Sequence, residues 1–505
     1  MIELNDKINL DIFEKIIFDD KKIEISENVK NNVKQSFEFL KTFSKNKIIY
    51  GVNTGFGPMA QYKISSKDQK KLQLNLIRSH SAGTGNIIDK KYIKAAVLAR
   101  LNTLSQGYSG INYQAIEMLK QFINNDINPV IYEHGGVGAS GDLVQLSHLA
   151  LSLIGEGEVI YKNKIKKTKD VLTELKIKPL KIHIREGLSL INGTSVMTGI
   201  GLVNIIYAKR LVDWSIIASA IINDIVGSYS DPFSYNLNKV KLHKGQKTIA
   251  DKLNNFLIDS KRIKDRNKEL YKKEINKNFL KEKVQEYYSL RCVPQIIGPI
   301  IETIENAEKI LINEINSVND NPIIDAENKN VYHGGNFHGD YVSLEMDKLK
   351  IAITKLSMLA ERQINYLMND KLNNILPPFI NLGKLGLNLG MQGVQFTATS
   401  TVAENQTISN PMYIHSIPNN NDNQDIVSMG TNSALLTKKV IENTFEVMSI
   451  ELISLVQAID YIKDKKTFSK KTINIYNKIR KIVPTFVDDT IKYNDIKNVI
   501  KLIKS

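Results

Sequence analysis

One cysteine, Cys292, stands among 505 residues, and a single thiol cannot close an intramolecular disulfide, which fits a reducing compartment. Proline is scarce, at 12 of 505, about half the usual share of roughly 5%, and its scarcity leaves room for long uninterrupted helices. No apolar run approaches the roughly 18 residues of a membrane span; stretches such as IIASAII stop well short. The opening MIELNDKINLDIFEKIIFDD mixes charged and apolar residues too evenly for a secretory leader. A cytoplasmic protein without a membrane partner is therefore expected. Acidic residues are in deficit, 53 against 68 Lys+Arg, for a net charge of +15. The excess is mostly Lys, spread through stretches such as KNKIKKTKD (162–170). With no zinc-finger spacing, no RNP-like aromatic motif and no basic stripe, it reads as a solvated face, and no nucleic-acid partner is expected.

What is present is ordinary globular material, 42% hydrophobic and 24% charged, enough to exclude general disorder and to build a large core. The first 60 residues mix strand-like pieces (KIEIS, KIIYGVN) with a helix near 28–43. Helical periodicity follows at 66–82, 89–107, 112–124 and 142–154, and GEVIYKNKIKK reads as a hairpin. From about 194 the segments become very long and amphipathic, at 194–227, 294–318, 341–368 and 432–462. In 341–368, Leu344, Met346, Leu349, Ile353, Leu356, Leu359 and Leu367 recur at helical spacing. Rods of this length have little to pack on except one another, so a mainly α fold with a central long-helix bundle is expected. The boundary is placed between a mixed N-terminal domain, 1–195, and a bundle domain, 196–505.

PVIYEHGGVGASGDLVQLSHLAL contains a formal G-x-G-x-x-G at Gly136, Gly138 and Gly141. Against dinucleotide binding, Glu133 and His134 break the apolar strand, and Lys162 and Asn163 stand where an acidic ribose partner belongs. No P-loop is present either, so no nucleotide is expected. A plainer reading is a glycine-rich turn in which Ser140 or Asp142 caps the following helix. A third reading is chemical. In Ala139-Ser140-Gly141 the chain can bend until the Gly141 nitrogen attacks the Ala139 carbonyl carbon. Loss of two waters, one using the Ser140 hydroxyl, leaves a five-membered ring with an exocyclic methylidene. That ring is an electrophile no ordinary side chain provides, and a helix N-terminus beneath it favours gathering electron density.

The surroundings resemble the histidine/aromatic amino-acid ammonia-lyases, which make this methylidene-imidazolone from their own chain. GGVGASGDLVQLSHLAL is accompanied, in order, by YGVNTGFGP (50–58), LQLNLIRSHSAGTG (72–85), INGTS (191–195), YSLRCVPQ (288–295), NDNP (319–322), GGNFHGD (334–340) and NNNDNQDIVSMG (419–430). One departure is Val144-Gln145, where many histidine lyases carry Ala-Pro. The resemblance implies a fumarase/aspartase-like helical fold and a homotetramer whose active sites are each assembled from three chains. It implies removal of ammonia and a β-proton from an aromatic amino acid, with the methylidene-imidazolone as the only cofactor. No metal is expected: His333 and His338 lack a carboxylate at ligand spacing and read as structural.

The same resemblance assigns roles. Tyr50 corresponds to the base, a phenol that positive helix ends can assist; by itself it would read as an aromatic closing a strand. Arg291 corresponds to the clamp on the substrate carboxylate, a task suited to the guanidinium fork. Asn192 and Tyr288 correspond to the residues that hold the ring and the substrate amine, with Gly57 and Asn423 lining the substrate site. Gln285, Asn336 and Asp142 correspond to supporting positions, and Phe337 to the aromatic packed near the ring. Two positions speak to the substrate and point apart. Ser79-His80 resembles the histidine-lyase pair, whereas Gln424 stands where those enzymes carry Glu and follows the tyrosine and phenylalanine pattern. A neutral Gln leaves an imidazole without an anionic partner, while a phenol offers His80 a matched hydrogen bond. The chain as a whole looks most like the bacterial tyrosine enzymes that keep a Ser-His pair, so tyrosine is the expected substrate. Histidine elimination and a tyrosine aminomutase reaction are the alternatives.

Overall fold

The computed structural model describes residues 1–5, 7–272, 278–280 and 283–505. Helices dominate, and the strands are short pairs and one three-stranded piece. Four helices stand out by length: Ser195–Val226, Val293–Ile315, Asp340–Met368 and Gly430–Tyr461. Each matches a long amphipathic segment of the sequence to within a few residues. At 1.5 Å per residue, the 32 residues of Ser195–Val226 make a rod of about 48 Å. Its Leu211, Ile216, Ile221, Ile222 and Ile225 are already buried within the single chain. Along Asp340–Met368 the apolar stripe is buried as its spacing predicts, except Leu344, which is 40% exposed.

The chain divides into two compact units, and each of the four long helices contributes to both. One comprises Met1–Ile206, Ala307–Asp347 and Pro411–Lys438; the other comprises Tyr207–Asn306, Lys348–Asn410 and Lys439–Ser505. The first unit is built around helix Lys90–Ser105, buried on every face from Tyr92 to Ser105. It also holds every strand among the described residues. Ile2–Leu4 pairs in parallel with Ile23–Ile25, Thr84–Ile87 pairs antiparallel with Tyr132–His134, and Asn128–Pro129, Glu158–Tyr161 and Lys164–Lys167 form the three-stranded sheet. The hairpin read in GEVIYKNKIKK is the last of these, turning through Lys162 and Asn163, both at positive φ. The second unit packs helices Lys244–Leu257, Gln392–Ile408, Lys470–Arg480 and Tyr493–Lys504 with the remaining lengths of the long rods. No helix among the described residues is long and apolar enough to cross a membrane.

One strand expected from sequence is absent. KIIYGVN forms a turn, in which Asn53 Oδ1 accepts from Ile49 N–H at 2.8 Å and Thr54 Oγ1 accepts from Gly51 N–H at 3.1 Å. Short polar side chains here satisfy backbone donors that a ladder would otherwise have used. Gly51, at φ +68°, has Leu188 2.5 Å from where a Cβ would sit, so the turn needs glycine.

Candidate active site

Within the first unit a cavity of about 640 Å³ opens beside the Ala139-Ser140-Gly141 turn. Ten of the sequence-derived site residues line it: Tyr50, Gly57, Ser79, His80, Ala139, Ser140, Asn192, Phe337, Asn423 and Gln424. They come from segments spread over nearly four hundred residues and meet only in the folded unit.

The turn is held from several sides. Asn192 Nδ2 donates to the Ser140 carbonyl at 3.2 Å, and Asn192 Oδ1 accepts from Asn321 N–H at 2.7 Å. Gly193 N–H donates to the same Ser140 carbonyl at 3.3 Å, and its own carbonyl accepts from Asp142 N–H at 2.8 Å. Gln424 Nε2 donates to Ser140 Oγ at 2.9 Å. Gly141 has φ +72°, and a Cβ there would fall 2.0 Å from the Gly193 oxygen, so glycine alone is accommodated. A left-handed glycine nitrogen, a small Ala139, a Ser140 hydroxyl and a braced backbone are what cyclisation needs, and these residues fit the methylidene-imidazolone.

Asp142 corrects one sequence expectation. It occupies the N-cap position of helix Leu143–Leu153 but makes no side-chain cap bond there. Its Oδ2 accepts instead from Val196 and Met197 N–H, at 2.8 and 3.0 Å, in the first turn of Ser195–Val226. Thr431 Oγ1 donates to the other carboxyl oxygen. Full burial pushes its pKa up to about 6, against the hydrogen bonds, which pull it down.

Tyr50 sits on the turn described above. Its phenolic oxygen accepts from Gly57 N–H at 3.0 Å, its backbone N–H donates to His333 Nε2 at 3.3 Å, and its ring meets Phe56 edge-on. His80, at the end of helix Gln69–His80, is half-buried, and burial lowers its pKa below the ordinary imidazole value. Its Nδ1 lies 3.0 Å from the Leu76 carbonyl and 3.0 Å from Ser79 Oγ. A carbonyl can only accept, so Nδ1 carries the proton and Nε2 is left as an acceptor. Asn336 is not in the lining; its Nδ2 donates to the Val318 carbonyl at 3.3 Å.

Gln285, Tyr288 and Arg291 are absent from this lining as well. They belong to the second unit and line a cleft of about 540 Å³ there, where the Arg291 guanidinium lies 4.8 Å from the Tyr288 ring centre. Arg291 Nε is buried with no partner among the described residues, and Tyr288 is 70% exposed. Cys292 is only partly buried.

Sequence reasoning passed over several wall residues. Asn321 lies inside NDNP and is marked by it, and His338, expected to be structural, also lines the cavity. Leu72, Asn75 and Leu76 lie inside LQLNLIRSHSAGTG, whereas Met59 and Leu188 lie outside every motif and become visible only as the wall of a cavity. Among the described residues no three His, Cys, Asp or Glu side chains are grouped as a metal set.

Comparison with known proteins gives concordant results. The family profile described as aromatic amino acid lyase matches residues 8–481. A tyrosine 2,3-aminomutase of Chondromyces crocatus is 40% identical over 449 residues, covering 88% of this chain and 84% of that protein. A histidine ammonia-lyase of Caldanaerobacter subterraneus is 37% identical over 492 residues, covering 97% and 94%. Among solved structures, the tyrosine aminomutase of Streptomyces globisporus superposes with a TM-score of 0.95 at 34% identity, covering 100% of this chain and 96% of that one.

Proposed function

The chain belongs to the aromatic amino acid lyase family, whose members depend on the methylidene-imidazolone, and on that premise we propose that it eliminates ammonia from L-tyrosine to give trans-p-coumarate. The observation that carries tyrosine is His80. With Nδ1 bound to the Leu76 carbonyl and burial keeping the ring neutral, Nε2 offers an acceptor suited to a phenolic O–H. Phenylalanine would leave that nitrogen unpaired, at a cost of about 1–3 kcal/mol. Gln424, neutral where a carboxylate would serve an imidazole, favours the same choice, and Met59, Leu72, Leu76 and Phe337 supply an apolar wall for the ring.

Formed from Ala139, Ser140 and Gly141, the ring supplies an electrophile that makes the amine a leaving group. Tyr50, whose oxygen Gly57 N–H holds in place, takes the β-proton. Asn192 fixes the Ser140 carbonyl. Arg291 binds the substrate carboxylate through its fork, with Tyr288 and Gln285 beside it. These three line a cleft of the second unit and are not in the lining of the Ser140 cavity of the first, and the proposal has another copy of the chain deliver them, in a homotetramer with shared active sites. A second reading, tyrosine 2,3-aminomutase, is favoured by the names of relatives near 40% identity; it shares the elimination and returns the amine to the β-carbon.

The test is incubation with tyrosine, phenylalanine and histidine separately, with products separated by chromatography and identified by mass. Tyrosine giving p-coumarate, with slower turnover of phenylalanine and little of histidine, is the expected result. Accumulation of β-tyrosine alone would replace elimination by the aminomutase reading, and a preference for histidine would overturn the assignment of the pocket.

A further inference from the structure

Behind the ring-forming turn lies a guanidinium that solvent does not reach. Arg100, on helix Lys90–Ser105, is fully buried, and a charge at that depth is costly unless it is compensated. Burial lowers its pKa to about 10, with Asp320 and Asp142 opposing the shift, so it remains a cation at neutral pH. Nη2 donates to the Ser189 carbonyl, and Nη1 lies 3.4 Å from both Ser195 Oγ and Asn319 Oδ1. Nε has no partner among the described residues.

The guanidinium presses on Gly193. A Cβ at Gly193, which sits at φ +142°, would fall 2.4 Å from Nη1. Gly193 in turn grips the ring-forming turn on both sides, donating to the Ser140 carbonyl and accepting from Asp142 N–H, with Gly141 packed on its carbonyl oxygen. Without a side chain Gly193 cannot anchor itself by packing. Its backing has to come from a neighbour, and Arg100 and Asn319 are the residues against it.

We propose that Arg100 is a positioning residue for ring formation: its guanidinium braces Gly193, so that Ala139-Ser140-Gly141 is held bent enough to cyclise. In that step the Gly141 nitrogen bonds to the Ala139 carbonyl carbon. The carbonyl oxygen leaves as one water with the amide hydrogens of Gly141 and Ser140, and a C=N bond forms between the Ala139 carbon and the Ser140 nitrogen. The Ser140 hydroxyl leaves with the Ser140 α-hydrogen as the second water, giving the exocyclic double bond. Two dehydrations need no oxidant. The inference rests on the reading of this tripeptide as the ring precursor.

The test is intact mass of freshly produced full-length protein followed over time, with thermal unfolding measured alongside. Wild type is expected to be two waters lighter than its sequence. Arg100→Gln is expected to form the ring about tenfold more slowly or worse, since sub-ångström misplacement of reacting atoms is enough for that. Arg100→Lys keeps a buried cation without the planar fork; it is expected to be slowed too, and it carries the test should Arg100→Gln not fold. The control is Arg185→Gln. Arg185 is equally buried and pairs with Asp320 at 3.3 Å, but none of its atoms is among the three nearest to a Cβ at Gly193. It should lower the unfolding temperature and leave the mass deficit complete. Folded Arg100→Gln or Arg100→Lys maturing as fast as wild type would overturn the proposal, and so would an equal delay in Arg185→Gln. A wild type lacking the deficit would overturn the ring reading itself, a result the variants cannot mimic.

Discussion

Under the proposed reading His80 would meet the phenol of the substrate and Arg291 its carboxylate, and each role can be tested alone. Replacing His80 by Phe removes the acceptor assigned to the phenol and leaves an apolar wall in its place. His80→Phe is expected to lower the tyrosine-over-phenylalanine ratio of kcat/KM by roughly tenfold, the equivalent of about 1.4 kcal/mol; an unchanged ratio would remove His80 from substrate choice. For Arg291 the relevant property is shape as much as charge. Arg291→Lys keeps the cation but gives up the bidentate fork, and losing one charge-assisted hydrogen bond, worth about 1.5–3 kcal/mol, should cut kcat/KM by tenfold or more. Unaltered kinetics in this variant would place the carboxylate elsewhere.

Among the elements, the long helices raise questions that no single contact answers. Ser195–Val226 begins at the site, and its first free backbone donors are met by Asp142, a residue 54 positions earlier in the chain. Asp142→Ala leaves those donors unpaired in a buried place and is expected to cost about 1–3 kcal/mol, read as a lower unfolding temperature. Gly430–Tyr461 carries a different burden. Glu451 is wholly buried, neither carboxyl oxygen has a partner among the described residues, and burial raises its pKa well above the ordinary value. The folded protein therefore holds a proton that the unfolded chain releases above about pH 4.3. Stability from this group is intact below that pH and is lost as pH rises toward the raised folded pKa. Glu451→Gln, which cannot ionise, is expected to be more heat-stable than wild type at about pH 8, with the advantage shrinking toward about pH 4. Parallel unfolding temperatures across that range would contradict a buried, unpartnered carboxyl.

For the whole molecule the issue is whether one chain can complete the proposed site by itself. The Ser140 cavity is lined entirely by the first unit, and the Tyr288–Arg291 cleft entirely by the second. If copies of the chain exchange these parts, two differently disabled variants can repair each other. Ser140→Ala and Arg291→Gln should each be nearly inactive alone. Produced together in one cell, they should form mixed oligomers with clearly recovered tyrosine turnover, because some sites then combine an intact turn with an intact clamp. No recovery in demonstrably mixed oligomers would argue that each chain completes its own site.

Much of this was readable before any folding was considered. The four long helices follow from apolar residues repeating at helical spacing over distances where no proline intervenes, which is local information. The site residues were legible only through the family resemblance that the motifs carry together, since Tyr50 by itself reads as an aromatic closing a strand and Ala139-Ser140-Gly141 as a glycine-rich turn. The rest depended on residues that lie far apart in sequence. That Tyr50 sits on a turn was decided by Asn53 and Thr54 capturing backbone donors a strand would have used. That Asp142 serves the helix beginning at Ser195 rather than its own, and that Arg100 backs Gly193 93 positions away, required the chain to be packed first. Spacing reports which side chains share a face of one element; it carries no information about which element lies opposite, and hydrogen bonds and close contacts between elements are set only there.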